Sequence, residues 1–415
     1  MNEQTPQPKH ILYVENGIGY GGAIICLRHL VRNLDRKRFT PMVVTGRTGS
    51  QYREIANEAF WKHIPDRHFD TVGAHRKLDK TQWPEKIPGM RFLINQALGR
   101  ADDIGNFTPF FVQLLWTAWQ FKADLIHANN EPLCNRAALL VGKVLQIPTV
   151  CHVRGNLNGS SHLMKWTFGL PDHFTPVSHW VSEIIQNNQD VPSEKISVIY
   201  DGLELEKLDS SSDGAKFRNE FNIPQDAFTV GLVGLLIPWK GQEIFLDAAA
   251  ILKEKIPKLK MVIIGGTPDD CVPFEQMLRR RVEDEKLEET IIFTGHTIDM
   301  PTVYNGLDVV VSASTSPEPL GTVVIESMAM GRPLIGPNHG GAAEMMEHEK
   351  TGLLFEHGNA DDLARVINQF YDSAELRVNL GKAARKKALK TFAVEEHVRH
   401  VQKVYTEVFQ QFNQE

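Results

Sequence analysis

The stretch LDVVVSASTSPEPLGTVVIESMAMG, residues 307–331, decides the architecture of this chain. A valine-rich apolar run, 307–314, is followed by a Ser/Pro/Gly break and then, from Thr322, by residues with helical spacing. A strand apolar along its whole length is buried on both faces, as in a parallel sheet covered by helices. The first amides of the following helix have no partner within it, and the helix dipole adds positive potential there. Gly321 lets a ligand approach that helix start closely, so the junction reads as an anion site suited to a diphosphate. Glu318 stands in the loop just before it and Glu326 one turn into the helix.

The same alternation extends in both directions. Upstream, strand-like runs occur at 228–236, 259–266 and 290–296, and downstream at 332–337. An earlier series comprises 10–16, 39–46, 123–129, 148–153, 174–178 and 196–202, with helical segments between. The most Ser- and Asp-rich stretch, around 201–214, separates the two series. The fold class is therefore α/β, with two doubly wound, Rossmann-like domains and an expected cleft between them. The first spans 1–200 and the second 201–393. A last helix, 394–415, is expected to pack back on the first domain.

Composition narrows the function. The chain has 415 residues, 42% hydrophobic and 23% charged, with a formal net charge of −6. That is ordinary globular composition and carries no electrostatic footprint for nucleic acid. Cys26, Cys134, Cys151 and Cys271 lie far apart, which excludes a disulfide scaffold, argues against a zinc site and fits a reducing cytoplasm. The opening MNEQTPQPKH has no apolar core of a signal peptide, and no run of 18 apolar residues follows. The expected location is the cytoplasm, with the inner face of a membrane left open.

Gly17, Gly19 and Gly22 fit G-x-G-x-x-G after a strand and before a helix, the position of a dinucleotide fingerprint. The next strand ends Val44-Thr45-Gly46-Arg47 without the carboxylate that holds a nicotinamide ribose. Arg47 keeps an NADP-dependent oxidoreductase as an alternative. The plainer reading is a tight turn or a generic phosphate or acceptor contact at Gly22.

Glu318, seven residues, then Glu326 resembles the E-x7-E motif of retaining family-four glycosyltransferases with the GT-B fold. Five other elements are similar in order and spacing: Gly21-Gly22, 198–203 (VIYDGL), 233–241 (VGLLIPWKG), 293–297 (FTGHT) and Gly340-Gly341 with Glu344. The resemblance implies transfer of a sugar from a nucleotide diphosphate sugar to a hydroxyl, with a uridine favoured over a guanosine donor. It also implies residue roles. Glu318 holds donor-sugar hydroxyls and Glu326 the ribose. Lys240 and the amides of Gly321, Thr322 and Val323 neutralise the leaving diphosphate, while Gly295 to Thr297 line the base. His152 contacts the sugar near the reacting carbon, with Arg154 a second polar group beside it. Lys240, Glu318 and His152 are thus the expected catalytic residues.

The chain departs from the family pattern at three places. Leu235 stands where the family has an arginine, Ile24 where an acid often follows the glycines, and Asp201 where an asparagine is usual. No Asp-x-Asp pair occurs, so a metal-bridged diphosphate is not expected and no metal or other cofactor is assigned. Two carboxylates also suit a glycosidase, although a hydrolase has no use for a phosphate site. A nucleotide-sugar epimerase is a further alternative.

The acceptor, a saccharide or a lipid-linked hydroxyl as in polysaccharide or glycoconjugate assembly, is written less clearly. Residues 107–121 are apolar, with Gln113, Thr117 and Gln120 at helical spacing predicting one narrow wet face. The segment reads as a core helix or, with Trp116, Trp119, Lys122 and the upstream cations Arg76, Lys77, Lys80, Lys86, Arg91 and Arg100, as a peripheral membrane contact.

Overall fold

The computed structural model describes residues 7–16, 22–66, 103–155, 162–412 and 414. Two compact units account for them. Unit 1 contains the chain up to Pro176, Ile184–Ser197 and His400 onward, and unit 2 contains Val177–Glu183 and Val198–Arg399.

Unit 1 is built on a parallel sheet of β1 (Lys9–Glu15), β2 (Phe39–Thr45), β3 (Phe60–His63), β4 (Leu125–Asn129), β5 (Thr149–Val153) and β6 (His173–Pro176). Their order is β3-β2-β1-β4-β5-β6. The strands are apolar because helices cover the sheet. Leu12, Val14 and Ile126 pack with Phe110, Leu114, Ala137 and Val141 from two of those helices. The helix Val394–Phe412 contributes its last turns here, where Tyr405 donates to the Tyr13 hydroxyl at 3.0 Å.

Unit 2 repeats the topology with β7 (Phe228–Val233), β8 (Leu259–Ile264), β9 (Ile291–Gly295), β10 (Val309–Val311), β11 (Leu334–Pro337) and β12 (Leu353–Phe355). The order β12-β11-β10-β7-β8-β9 is the same one read from the other edge. Val230, Leu232, Met261, Ile263, Val309 and Val311 form the sheet side of its core, against Phe245, Ile367 and Phe370. In both sheets the winding direction reverses between two central strands, β1 and β4 or β7 and β10. In open α/β sheets ligands bind at such a reversal, beyond the carboxyl ends of the strands.

Three sequence expectations need correction. Residues 196–202 form no strand, and only an isolated bridge from Ile196 to Phe174 is made. β3 and β12 were not evident, because four half-exposed and three apolar residues are too short to show a period. The helix Thr108–Phe121 has its polar stripe outward only in part: Gln113 and Gln120 are exposed, but Thr117 is buried, accepting from Lys62 Nζ at 2.8 Å and donating to the Gln113 carbonyl at 2.7 Å, and Val112, Trp116 and Trp119 are exposed as well. The glycines at 17, 19 and 21 lie outside the described residues. Gly22 begins the helix Gly22–Arg32, and nothing lies within 4 Å of where its Cβ would stand.

One buried cation ties unit 2 together before its site is considered. Arg218 reaches from the helix Gly214–Glu220 to the carbonyls of Gly306, Gln225 and Ala227 at 2.9, 3.0 and 3.0 Å and to Asp308 at 3.0 Å. Asp308 in turn accepts from the Thr229 amide at 2.8 Å, so the cation links the start of β7 to that of β10. Removing it strands three carbonyls and a carboxylate. Arg218→Met is expected to lower stability by about 3 kcal/mol in denaturant unfolding, whereas breaking the exposed Lys258–Asp226 pair by Lys258→Met is expected to leave the unfolding midpoint nearly unchanged.

Candidate functional site

At the carboxyl end of β10 the chain turns through Ser312–Gly321 into the helix Thr322–Ala329. Gly321 is its N-cap in an extended conformation, and no side chain caps the helix. Lys240 lies in the loop after the neighbouring β7, and the Thr315 amide donates to the Trp239 carbonyl at 2.8 Å, tying the two loops together. Lys240, Glu318, Gly321, Thr322 and Val323 consequently line one small pocket, with Ser314 beside them. Five residues singled out from the sequence meet here.

Lys240 Nζ donates to Glu318 Oε2 at 2.8 Å and sits 4.5 Å from the Trp239 ring centre. The Ser314 hydroxyl donates to the other carboxylate oxygen of Glu318. Both members of the ion pair are largely shielded, so their attraction is stronger than for a surface pair. A pre-placed lysine, a carboxylate and uncapped amides in one recess can receive a phosphate on one side and sugar hydroxyls on the other.

The Glu318 loop is fixed from behind. Gly341 donates its amide to the Glu318 carbonyl at 2.7 Å. A Cβ on Gly340, where φ is +65°, would stand 2.9 Å from both the Glu318 nitrogen and oxygen, and one on Gly341 would stand 2.4 Å from the Pro319 oxygen. Both glycines are needed for this close approach. His339 Nε2 donates to the Ser314 carbonyl at 2.9 Å. In the helix Gly340–Met345, which these glycines begin, Glu344 accepts from the His179 and Trp180 amides at 2.9 and 3.1 Å and from the Tyr200 hydroxyl at 2.6 Å. It is a structural anchor.

Glu326 lies one turn beyond the pocket, half-buried, and accepts from the hydroxyl of fully buried Tyr304 at 2.7 Å. Burial holds its carboxyl above the ordinary carboxylate range, with the Tyr304 bond opposing in part. Tyr304 was not identified from the sequence, where it reads as one more core aromatic. Gly295 ends β9 with φ +70° and open space around it, and the Thr297 hydroxyl contacts Met300 Sδ at 3.6 Å. These two belong to the edge of the sheet beyond β8 and do not line the pocket of Lys240.

In unit 1, His152 and Arg154 stand at the carboxyl end of β5. His152 is fully buried, its ring 5.7 Å from that of His127. Arg154 donates to the Asn129 side-chain oxygen, Asn129 donates to Glu15, and Asn130 donates to both Glu15 oxygens at 2.8 and 3.0 Å. Glu15, Asn129 and Asn130 were missed from the sequence. Their signal was present, since 10–16, 125–130 and 149–154 each end an apolar run in polar residues. Among the described residues no group of three His, Cys, Asp or Glu is placed to hold a metal ion, and no helix is long and apolar enough to cross a membrane.

Residues 20–207 match the family model described as glycosyltransferase family 4, and residues 213–387 the one described as glycosyl transferases group 1. The spore coat protein SA of Bacillus subtilis is 29% identical over 238 residues, 55% of this chain and 63% of that protein. The N-acetyl-alpha-D-glucosaminyl L-malate synthase of Bacillus anthracis is 25% identical over 356 residues, 82% of this chain and 89% of that one. Anabaena Alr3699/HepE, solved in complex with UDP, superimposes with a TM-score of 0.78 at 22% identity, covering 96% of this chain and 100% of the other.

Glu326 joins the site to stability. A carboxyl whose pKa is raised by folding binds its proton more tightly in the native state, so its ionisation costs stability as pH rises past the ordinary carboxylate value. Glu326→Gln keeps an acceptor for Tyr304 and removes that cost. Thermal melts are expected to show a gain of roughly 2 °C at pH 7 that disappears near pH 4. An unchanged melting temperature at pH 7 would contradict this account of the carboxyl.

Proposed function

We propose that this chain, which belongs to the family-four glycosyltransferases and has the GT-B fold, moves a sugar from a uridine diphosphate sugar to an acceptor hydroxyl with retention of anomeric configuration. The observation that carries the reading is the convergence of Lys240, Glu318 and the helix start at Gly321–Val323 on one recess. UDP in the complex of Alr3699/HepE supports the choice of base.

In this reading the β-phosphate takes the amides of Thr322 and Val323 and the ammonium of Lys240. The charge that develops on the leaving diphosphate then meets donors already in place. Glu318 turns to the sugar hydroxyls, and Glu326 to the ribose diol. The bond from the anomeric carbon to the phosphate oxygen breaks and the bond to the acceptor oxygen forms on the same face of the ring. The acceptor proton goes to the departing phosphate oxygen. Glu318 is already committed to Lys240 and Ser314, which supports a binding role over that of a nucleophile. His152 and Arg154 keep the roles that the resemblance implies. The reaction proceeds without a metal or other cofactor, a reading that rests on the absence of an Asp-x-Asp pair from the sequence.

A thermal-shift panel of UDP, GDP, ADP and NADP, with their sugar conjugates, tests the donor. UDP and UDP-sugars at 100 times their dissociation constants are expected to add about 2.7 kcal/mol. A shift with NADP alone would overturn the reading in favour of an oxidoreductase. Lys240→Ala and Glu326→Ala are each expected to weaken UDP binding more than tenfold, or about 1.4 kcal/mol. Wild-type affinity in both would remove the site assignment, and the anomeric configuration of the product by NMR tests retention.

The acceptor-side reading is a cytoplasmic enzyme working at the inner face of a membrane. The 14-residue helix Thr108–Phe121 carries no charge and turns Val112, Trp116 and Trp119 outward, and exposed Lys122 follows at its end. Indole rings beside a cation favour a lipid interface. Flotation with anionic vesicles is expected to carry the wild-type protein, and Trp116→Ser/Trp119→Ser is expected to cut the floated fraction by more than half. Equal flotation of both would end the membrane reading for this helix.

A further inference from the structure

Trp239 and Lys240 are adjacent in sequence, and the lysine ammonium lies 4.5 Å from the centre of the indole ring. Neighbouring residues of a helical turn do not ordinarily face each other, so the contact is a feature of the local backbone. Pro238–Lys240 form a single tight turn, entered through extended Ile237 and left through Gly241 with φ +80°. A Cβ on Gly241 would stand 2.0 Å from the Ala313 oxygen. The Trp239 carbonyl accepts from both the amide and the hydroxyl of Thr315, at 2.8 and 3.3 Å. The turn is thus held against the loop after β10 at two points.

Three groups confine the lysine. Its stem passes Gly234, where a Cβ would lie 3.7 Å from Cδ, its ammonium bonds to Glu318 Oε2 at 2.8 Å, and the indole covers the ammonium as well. The carboxylate and the ring differ in what an anion does to them. Glu318 holds the ammonium by charge and direction, so a phosphate can draw it away. A ring face has no net charge to be displaced and attracts a cation across its whole width, so it keeps the ammonium while the carboxylate is exchanged. A phosphate that captures a free lysine must bear the lost rotamer freedom of a flexible four-carbon stem. Here the ring has already confined that stem. Trp239 itself is 41% exposed and lies outside the core of unit 2, so replacing it empties no cavity.

We infer that Trp239 is a positioning residue of this site. Its indole holds Lys240 where the leaving diphosphate arrives, and it acts through that ammonium and not on the donor directly. That the diphosphate belongs to a sugar donor rests on the transferase activity proposed above, whereas a phosphate-binding role of the indole and ammonium pair does not.

The test is a double-mutant cycle read by isothermal titration with UDP and, separately, with inorganic pyrophosphate, on variants whose melting temperatures match the wild type. Trp239→Leu is expected to weaken UDP binding about fivefold, and Trp239→Phe, which keeps a ring face, to stay within about twofold of the wild type. In a Lys240→Ala background, Trp239→Leu is expected to change the affinity by less than about twofold, because no ammonium is left to position. Trp239→Met replaces the leucine variant if that one fails to fold. Wild-type affinity in Trp239→Leu, equal losses in both backgrounds, or a phenylalanine variant as weak as the leucine one would overturn the inference. Pyrophosphate binding that shows the coupling, with nothing gained from uridine, would leave the pair standing and remove the sugar-transfer reading. A protein that binds neither ligand would overturn both.

Discussion

The close approach of two backbone segments sets the geometry of the candidate donor site. Gly340 and Gly341 press against the main chain of Glu318 and Pro319, so near that a Cβ on either would overlap backbone atoms. The Gly341 amide then holds the Glu318 carbonyl at 2.7 Å. This fixes the loop that carries Glu318, and with it the place where the helix Thr322–Ala329 begins. Thr315 passes the constraint to the Lys240 loop through the Trp239 carbonyl. Three loops from neighbouring strands are therefore held by main-chain hydrogen bonds, which do not depend on the rotamers of the side chains they position.

On that frame the charges are poised but not idle. Lys240 and Glu318 neutralise each other at 2.8 Å, so the recess carries little net charge before a ligand arrives. In the proposed reaction a diphosphate competes for Lys240 and frees Glu318 to accept from hydroxyls, so that one charge-assisted pair is exchanged for two. Glu326 behaves differently. Its carboxyl is held by Tyr304 in surroundings that disfavour ionisation.

Much of this was legible in the sequence, and the exceptions share a cause. Parallel strands buried on both faces produce apolar runs that stand out, so β1, β7, β8 and β10 were evident from 10–16, 228–236, 259–266 and 307–314. The loop with Glu318 and the helix start at Gly321 were evident for the same reason, since they follow such a run directly. β3 and β12 are three or four residues long and leave no periodic trace. Residues 196–202 were apolar enough to suggest a strand, but they find only one bridging partner, at Phe174. Periodicity reports what a segment buries and not whether a neighbouring strand is present to pair with it. Tyr304 and Asn129 act through partners distant in sequence, Glu326 and Glu15, which spacing along the chain does not reveal.

The two units also share a rule that their sequences do not advertise. Each sheet has the same order, so each reverses its winding between its first and fourth strands. At that reversal neighbouring crossover helices lie on opposite faces, and the carboxyl ends of the two strands are left open above. In unit 2 the opening is occupied by Lys240, Ser314 and Glu318, and in unit 1 by Glu15, Asn129, Asn130 and Arg154. Both sets follow apolar strands, and in both the polar groups bond to one another, Asn129 and Asn130 to Glu15 in unit 1 and Lys240 and Ser314 to Glu318 in unit 2. The chemistry differs while the place does not. Unit 2 offers uncapped amides and a lysine, which suit phosphate, whereas unit 1 offers side-chain amides and a carboxylate already bonded to one another. One topology used twice thus sets recesses of different chemistry at equivalent places in the two sheets.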